Sequence, residues 1–471
     1  MSVVRTRSLG PAARWGVVAV LLSLPEVGAL VTFLGTLVPA DVGLRALGES
    51  IPTLLSRETV PNRGVDVPGE GSATLGVSLG GWAGPIFGLS PAAAWGLRVG
   101  LVYVYGAVWL GWLYRGYWVY RREYRSAGWT PRDDVLRRFR RHRWGQFGLL
   151  VVALFVVSAI FAPALGPTTM ERNVGEPFSY EVSYYDEESG TVRTTSVGAA
   201  NLDSVSQGIP GRNVGPLSYD RFGRYHPFGT LPSGQDLFTA VAMGSRVSLF
   251  VGVLAITLSA LIAASLAMVS AYYGGVVDLL TVLVSDATQS LPQLLVVILL
   301  SVVFANTWIA SLYNGGVLLA VIFAATGWPA LWRAVRGPAL QVAERTWVDA
   351  ADSIGQTPRT TMRRHIFPYV VGYLMVYASM NLGGIIIGIA GLSFLGLGIS
   401  PPTPEWGRLI NVGQPYLTTE SWHIAVIPGV LVVIVVTGFN ALGDGLRDAI
   451  DAEATVGNEE EATTAASGAG G

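Results

Sequence analysis

Long apolar runs separated by short polar stretches dominate the chain. A hydrocarbon core of about 30 Å needs roughly 20 mostly apolar residues per helical crossing. Eight runs reach or approach that length: 15–38, 92–113, 147–164, 247–270, 291–305 with part of the helix before it, 317–335, 369–394 and 424–442. The first follows Arg5, Arg7 and Arg14 and is interrupted by Pro25 and Glu26. It lacks a clear cleavage site and is read as an uncleaved anchor in preference to a signal peptide. Elsewhere the period changes. Residues 178–182 and 191–196 alternate and predict strands in a small loop domain between the third and fourth runs.

The segment 341–368 is polar enough to leave the membrane, yet Trp347, Ala350, Ala351 and Ile354 recur at i, i+3, i+4 and i+7. That spacing predicts a short amphipathic helix. Arg345 and Asp349 are spaced for an ion pair, and Gly355 stands where a left-handed cap would end the helix. Thr357 and Pro358 then suit the start of a second helix, which passes Arg363, Arg364 and His365 and enters the seventh run at Pro368. The plain reading of such a pattern is an interfacial helix lying on lipid headgroups. The other reading is a surface helix whose two alanines let a partner approach closely.

Composition agrees with a polytopic membrane protein. Hydrophobic residues make up 51% of the chain and charged residues 13%, against about 25% charged in globular domains. Absence of cysteine removes disulfides, thiolate metal sites and Cys nucleophiles. A formal net charge of -1 speaks against a nucleic-acid partner. All 31 Lys+Arg positions are Arg. Ten of them, from Arg115 to Arg143, face only Glu123, Asp133 and Asp134 in the same stretch. The positive-inside rule places that belt in the cytoplasm. Counting crossings then puts both termini and 336–366 inside and the acidic segment 165–238 outside. The turn at Tyr272 to Gly275 has no Arg nearby and leaves its own hairpin ambiguous. The stretch after Asp451 reads as a disordered tail.

Four separated blocks carry a resemblance. Trp347-Val-Asp-Ala-Ala-Asp-Ser-Ile-Gly355 followed by His365-Ile-Phe-Pro368 resembles the EAA loop of ABC importer permeases, with Asp349 where Glu is usual. His226-Pro-Phe-Gly-Thr230 with Gly234-Gln-Asp236 and Gly244-Ser-Arg-Val-Ser-Leu249 forms the second block. Leu392-Ser-Phe-Leu-Gly-Leu-Gly398 with Pro401, Pro402, Thr403, Pro404, Trp406 and Gly407 forms the third. Phe439-Asn440 with Gly443 to Asp448 forms the last. Together these resemble the C-type permease of dipeptide, oligopeptide and nickel importers over about 137–451. Ile389 stands where the family often has an acid, and the first two runs extend beyond the usual six.

The resemblance implies an all-α polytopic fold: a six-helix type I permease core plus two N-terminal transmembrane helices. It divides the chain into an extension with a basic stretch (1–145), a first core helix with its outer loop (146–240), the permease domain (241–450) and a tail (451–471). It also implies that Trp347, Asp349, Ala350, Ala351, Ile354, Gly355, His365 and Pro368 couple the chain to an ATPase. The implied partners are a B-type permease subunit, two cytoplasmic ATPase subunits, an extracytoplasmic solute-binding protein and membrane lipid. ATP and Mg would be held by the ATPases, with no catalytic residue, cofactor or metal site here, and nickel, if carried, would be cargo.

The residues themselves limit the alternatives. A Walker A loop needs Gly-Lys-Ser/Thr, and the chain has no Lys, so it cannot supply the ATPase. The glycines of 391–398 lack the strand–helix context of a dinucleotide site, and those of 76–88 read as a linker or re-entrant segment. H-E-x-x-H does not occur, and the G-x-S-x-G spacing of Gly76 to Gly80 falls in the glycine-rich stretch read as a linker rather than on a strand-to-helix turn, which argues against an intramembrane hydrolase. Asp278 and Asp286 read as helix-end residues first and as gating groups second. His142 reads as part of a solvated basic patch. The alternative function is a receptor or scaffold that binds anionic lipid or a partner through the basic belt.

Overall fold

Apolar segments that leave water must satisfy every backbone N–H and C=O internally, which a single segment achieves only as a helix. In the computed structural model, which describes residues 10–35, 47–48, 50–51, 53–55, 65–66, 82–83, 89–125, 131–208 and 213–468, regular structure is accordingly almost all helical. The extension holds α1 (Pro11–Ser23), α2 (Val27–Gly35) and α3 (Pro91–Glu123). Next come α4 (Pro131–Phe139), α5 (Arg143–Ile160), β1 (Glu181–Asp186), β2 (Thr191–Ser196) and α6 (Val197–Asp203). Then follow α7 (Leu237–Tyr273), α8 (Gly275–Ser290), α9 (Gln293–Val303), α10 (Gly316–Ala343) and α11 (Thr346–Ser353). The chain ends with α12 (Phe367–Phe394), α13 (Trp406–Gly413) and α14 (His423–Gly468).

Among the described residues, seven helical segments are long and apolar enough to cross a membrane. An eighth crossing arises if α8 and α9 count as one, bent by 86°. Proline disfavours helical backbone in the residue before it, and Leu291, ahead of Pro292, is extended. The fifth apolar run is therefore broken. The glycine-rich stretch 76–88 lies outside the described residues except for Trp82–Ala83, which pairs with Val65–Asp66.

One compact unit comprises 1–130 and 160–242. There α1 packs on α3 closely: a Cβ on Gly116 would lie 2.7 Å from the Trp15 ring. The indole N–H groups of Trp15 and Trp112 donate to each other's carbonyls at 3.0 and 3.3 Å. Glu26 accepts from the Leu55 N–H at 3.0 Å, the partner that the sequence did not name. The other end of α3 is fastened to the loop domain. Arg98, 1% exposed, donates to the carbonyls of Ala164 and Gly166 at 2.9 and 2.6 Å. Trp95 donates to the Leu165 carbonyl at 3.0 Å and packs its ring on Tyr225 and Phe238.

Within the loop, β2 lies at the expected 191–196, but β1 begins later than expected, at Glu181, because Pro177–Ser179 forms a helical turn; the two pair as an antiparallel hairpin, and the Ser196 hydroxyl caps α6 by accepting from the Ala199 N–H. Buried His226 sits between two carboxylates, Nδ1 2.9 Å from Asp236 and Nε2 3.4 Å from Asp220. Burial works against protonation of the ring, but both carboxylates outweigh it and raise the His226 pKa. Burial likewise opposes the Asp220 charge, yet His226 and Arg224 hold its carboxyl well below the usual range. The second resemblance block is thus a fixed polar knot rather than a ligand set.

The second unit comprises 131–159 and 243–471. Its core gathers Val251, Leu319, Phe323, Leu392 and fully buried Ile389. Helices α5 and α14 meet along a seam of glycines, where a Cβ on Gly148 would lie 2.3 Å from the Leu442 nitrogen and one on Gly445 2.6 Å from Gly145 Cα. Small residues let membrane helices approach this closely. His142, expected in a solvated patch, instead pairs with Asp448 at 3.1 Å, while its Nδ1 accepts from the Gly145 N–H. The tail also departs from expectation, since the helical backbone of α14 continues to Gly468. Its alanines and glutamates are strong helix formers, and the helix is already nucleated by the span before it.

Candidate functional site

The loop between α10 and α12 is built from two opposed helix signals. Glu344 ends α10, and Arg345 takes extended backbone as the residue before α11. After Ser353, Gly355 adopts φ +78°, so the helix closes in a Schellman motif. Its N–H donates to the Asp352 carbonyl at 2.9 Å and the Gln356 N–H to the Ala351 carbonyl at 3.1 Å. Thr357 begins the next turn with extended backbone, and Pro358 occupies the first position, as expected. The Thr357 hydroxyl does not cap that turn; it meets the Thr360 hydroxyl at 2.8 Å. His365 lies in the last basic turn at Met362–Ile366, and Pro368 sits in the first turn of α12.

The expected pair between Arg345 and Asp349 does not form. Arg345 lies outside the helix, so the i,i+4 geometry is lost, and its guanidinium stands 5.8 Å over the Trp347 ring.

The apolar stripe is divided between the chain's own body and the outside. Val348 and Ala351, 3% and 5% exposed, face inward, whereas Trp347 is 42% and Ile354 82% exposed. Ala350 and Asp349 are exposed as well. Trp347, Ala350 and Ile354 therefore make an outward line at i, i+3 and i+7, and only one of the two alanines is accessible.

Anchors fix this helix to the spans. The Tyr272 and Thr361 hydroxyls donate to Asp352 at 3.2 and 3.1 Å, tying α11 to the end of α7 and to the turn before α12. Trp347 stacks on Tyr369 of α12 with ring centroids 6.0 Å apart. These contacts join α11 to two membrane helices. Asp352 was missed as an anchor because its partners lie 80 residues before and 9 residues after it. Asp278 and Asp286 also have partners. Arg336 Nε donates to Asp278 at 2.7 Å, its Nη2 makes a second bond to the same carboxylate, and Arg333 pairs with Asp286. These pairs lock α8 to α10, which is a structural use in addition to the first-turn position of Asp278.

Another ionisable group was not signalled by the sequence. Glu405, fully buried, caps α13 by accepting from the Arg408 N–H at 3.1 Å. Burial pushes its carboxyl up to about 7 against the opposing pull of that N–H. Below it, Trp406 packs on Phe155 with centroids 5.6 Å apart, and Gly244 leaves room for its indole. The motif residues Gly244, Trp406 and Gly407 are packing requirements: a Cβ on Gly407 would lie 1.8 Å from the Ala390 carbonyl oxygen.

Two family descriptions match this chain. Residues 256–456 match the binding-protein-dependent transport system inner membrane component, and residues 130–181 match the N-terminal TM domain of oligopeptide transport permease C. The first of these contains α11 and all the anchors just described, and neither reaches the first two spans. The chain is 34% identical over 322 residues to the glutathione transport system permease protein GsiD of Escherichia coli O1:K1, covering 68% of this chain and 90% of that protein. The protein of the same name from Shigella boydii serotype 4 aligns with the same identity and the same coverage.

Proposed function

This chain belongs to the inner-membrane permeases of binding-protein-dependent ABC importers, C-type, and on that footing we propose that α11 is the element through which partner ATPases drive it. The observation that carries the reading is the outward pair Ala350 and Ile354, with half-exposed Trp347 at their edge, on a helix tied to the spans through Asp352 and through the packing of Trp347 on Tyr369. Such a helix can be gripped on one side and can pull on α7 and α12 from the other. His365 and Pro368 shape the return into α12, and Gly355 makes the bend compact.

ATP and Mg belong to two cytoplasmic ATPase subunits, since a chain without Lys has no Walker A loop. This chain then contributes no catalysis. A homologous B-type permease completes the path, and a solute-binding protein delivers cargo to the side of the 165–238 loop. Both termini and α11 face the cytoplasm in this reading, consistent with the arginine belt. Closure of the ATPases moves α11, and the attached spans alternate between inward and outward access.

The cargo class is short peptides. Its support is the match to the N-terminal domain of an oligopeptide permease and the identity with permeases named for glutathione, itself a small peptide. Ala350→Glu is expected to leave the protein inserted but to abolish ATP-driven uptake of labelled peptide into vesicles and capture of the ATPase. Normal uptake by that variant rules out the docking assignment. Competition by unlabelled dipeptide, longer peptide and glutathione then ranks the cargo.

A further inference from the structure

The extension carries a face that the transport reading does not use. Along α3, Leu97, Leu101, Val104 and Val108 are all exposed, and the alternating four- and three-residue steps continue through Gly111, Arg115, Trp118 and Arg122. At 3.6 residues per turn these eight positions share one side of the helix, within an arc of about 100°. Its first half is aliphatic and its second half basic. The division falls where a bilayer would put it: α3 has 33 residues, about 50 Å at 1.5 Å per residue, so well over a turn projects past a hydrocarbon core of about 30 Å.

At the division lies a cleft of about 450 Å³ lined by Gly111, Tyr114, Arg115, Trp118 and Arg122. Gly111 opens it, since a Cβ there would touch nothing within 4 Å. Arg115 stands over the Trp112 ring at 5.5 Å, and Arg122 over Trp118 at 5.8 Å. A guanidinium held beside an aromatic ring still has N–H groups that can donate to a phosphate. Among the described residues no carboxylate pairs with Arg115 or Arg122. Glu123, the only acid of α3, is turned about 100° away from Arg122. The flank next to this face is occupied by α1, through Trp15 on Gly116 and on Trp112.

We propose that this face of α3 binds one anionic phospholipid, its phosphodiester headgroup between Arg115 and Arg122 and its acyl chain along Leu97, Leu101, Val104 and Val108. The match is one of sequence along the helix: an amphiphile with an anionic head meets an aliphatic track that ends in a glycine notch and two arginines. Diffuse attraction to the arginine belt would need neither the notch nor the alignment.

Native mass spectrometry of the full-length, delipidated chain titrated with phosphatidylglycerol or phosphatidylcholine tests it. Retention of one phosphatidylglycerol per chain in preference to phosphatidylcholine is expected. Each basic residue at a membrane surface contributes about 1 kcal/mol toward anionic lipid, so Arg115→Gln with Arg122→Gln should lower retention roughly tenfold or more. Arg141→Gln with Arg143→Gln, the same charge change elsewhere in the belt, should leave it unchanged. Gly111→Leu fills the notch with all charges kept, in open space where folding tolerates it, and should also lose the lipid. Equal loss in the Arg141 and Arg143 control, equal binding of phosphatidylcholine, displacement by inorganic phosphate, or full retention by Gly111→Leu each overturns the proposal.

Discussion

Ala350 and Ala351 are neighbours in the chain and opposites in environment. A carboxylate at Ala350 points outward and should leave the thermal midpoint of the purified protein nearly unchanged while removing ATPase capture. At Ala351 it would be buried without a partner, and such substitutions cost several kcal/mol; a drop in midpoint measured by a melting assay checks this. The periodicity of the loop made the helix legible but could not say which side met the chain's own spans, because Tyr272, Thr361 and Tyr369 decide that from elsewhere in the fold. Glu405 was invisible for the same reason: only burial among α12 and α13 distinguishes it from any surface glutamate. Its folded value, about 7, exceeds the ordinary 4.5, so the folded state binds a proton that the unfolded state releases between those values. Stability should therefore fall as pH rises from about 4.5 to about 7, by on the order of 1–3 kcal/mol. Melting wild type and Glu405→Gln across that range checks it, the glutamine keeping the cap and flattening the difference; parallel curves would refute the assignment.

At the scale of elements, α3 is both a span and a brace. Arg98→Leu leaves the half-buried carbonyl of Ala164 and the buried carbonyl of Gly166 without their donor, at a cost of about 1–3 kcal/mol for the buried group. Faster protease nicking of the 165–238 loop in intact vesicles is the expected readout, with the rest of the chain still inserted. The seam between α5 and α14 makes a second case: Gly148→Val forces the helices apart, an overpacking of typically 1–3 kcal/mol, seen as a lower melting midpoint. The apolar runs foretold these helices because length and hydropathy alone determine a span. The bend at Pro292 was half legible, as a run too short to cross. The helical backbone after Asp451 was not, since alanine- and glutamate-rich sequence reads alike for a tail and for a helix extended from a preceding span.

For the whole molecule, order of blocks along the chain disclosed the family, whereas which residues of the loop turn outward came only from the fold. The sidedness of the loop decides whether a motor can reach it. Because the chain has no cysteine, Ile354→Cys introduces a single thiol without background, at an 82% exposed position. In native vesicles that thiol should be shielded from an impermeant reagent added outside, and a short bifunctional crosslinker should join it to a nucleotide-hydrolysing subunit, with a yield that changes on adding ATP. Labelling from the outside, or a crosslink that never captures such a subunit, contradicts the coupling role.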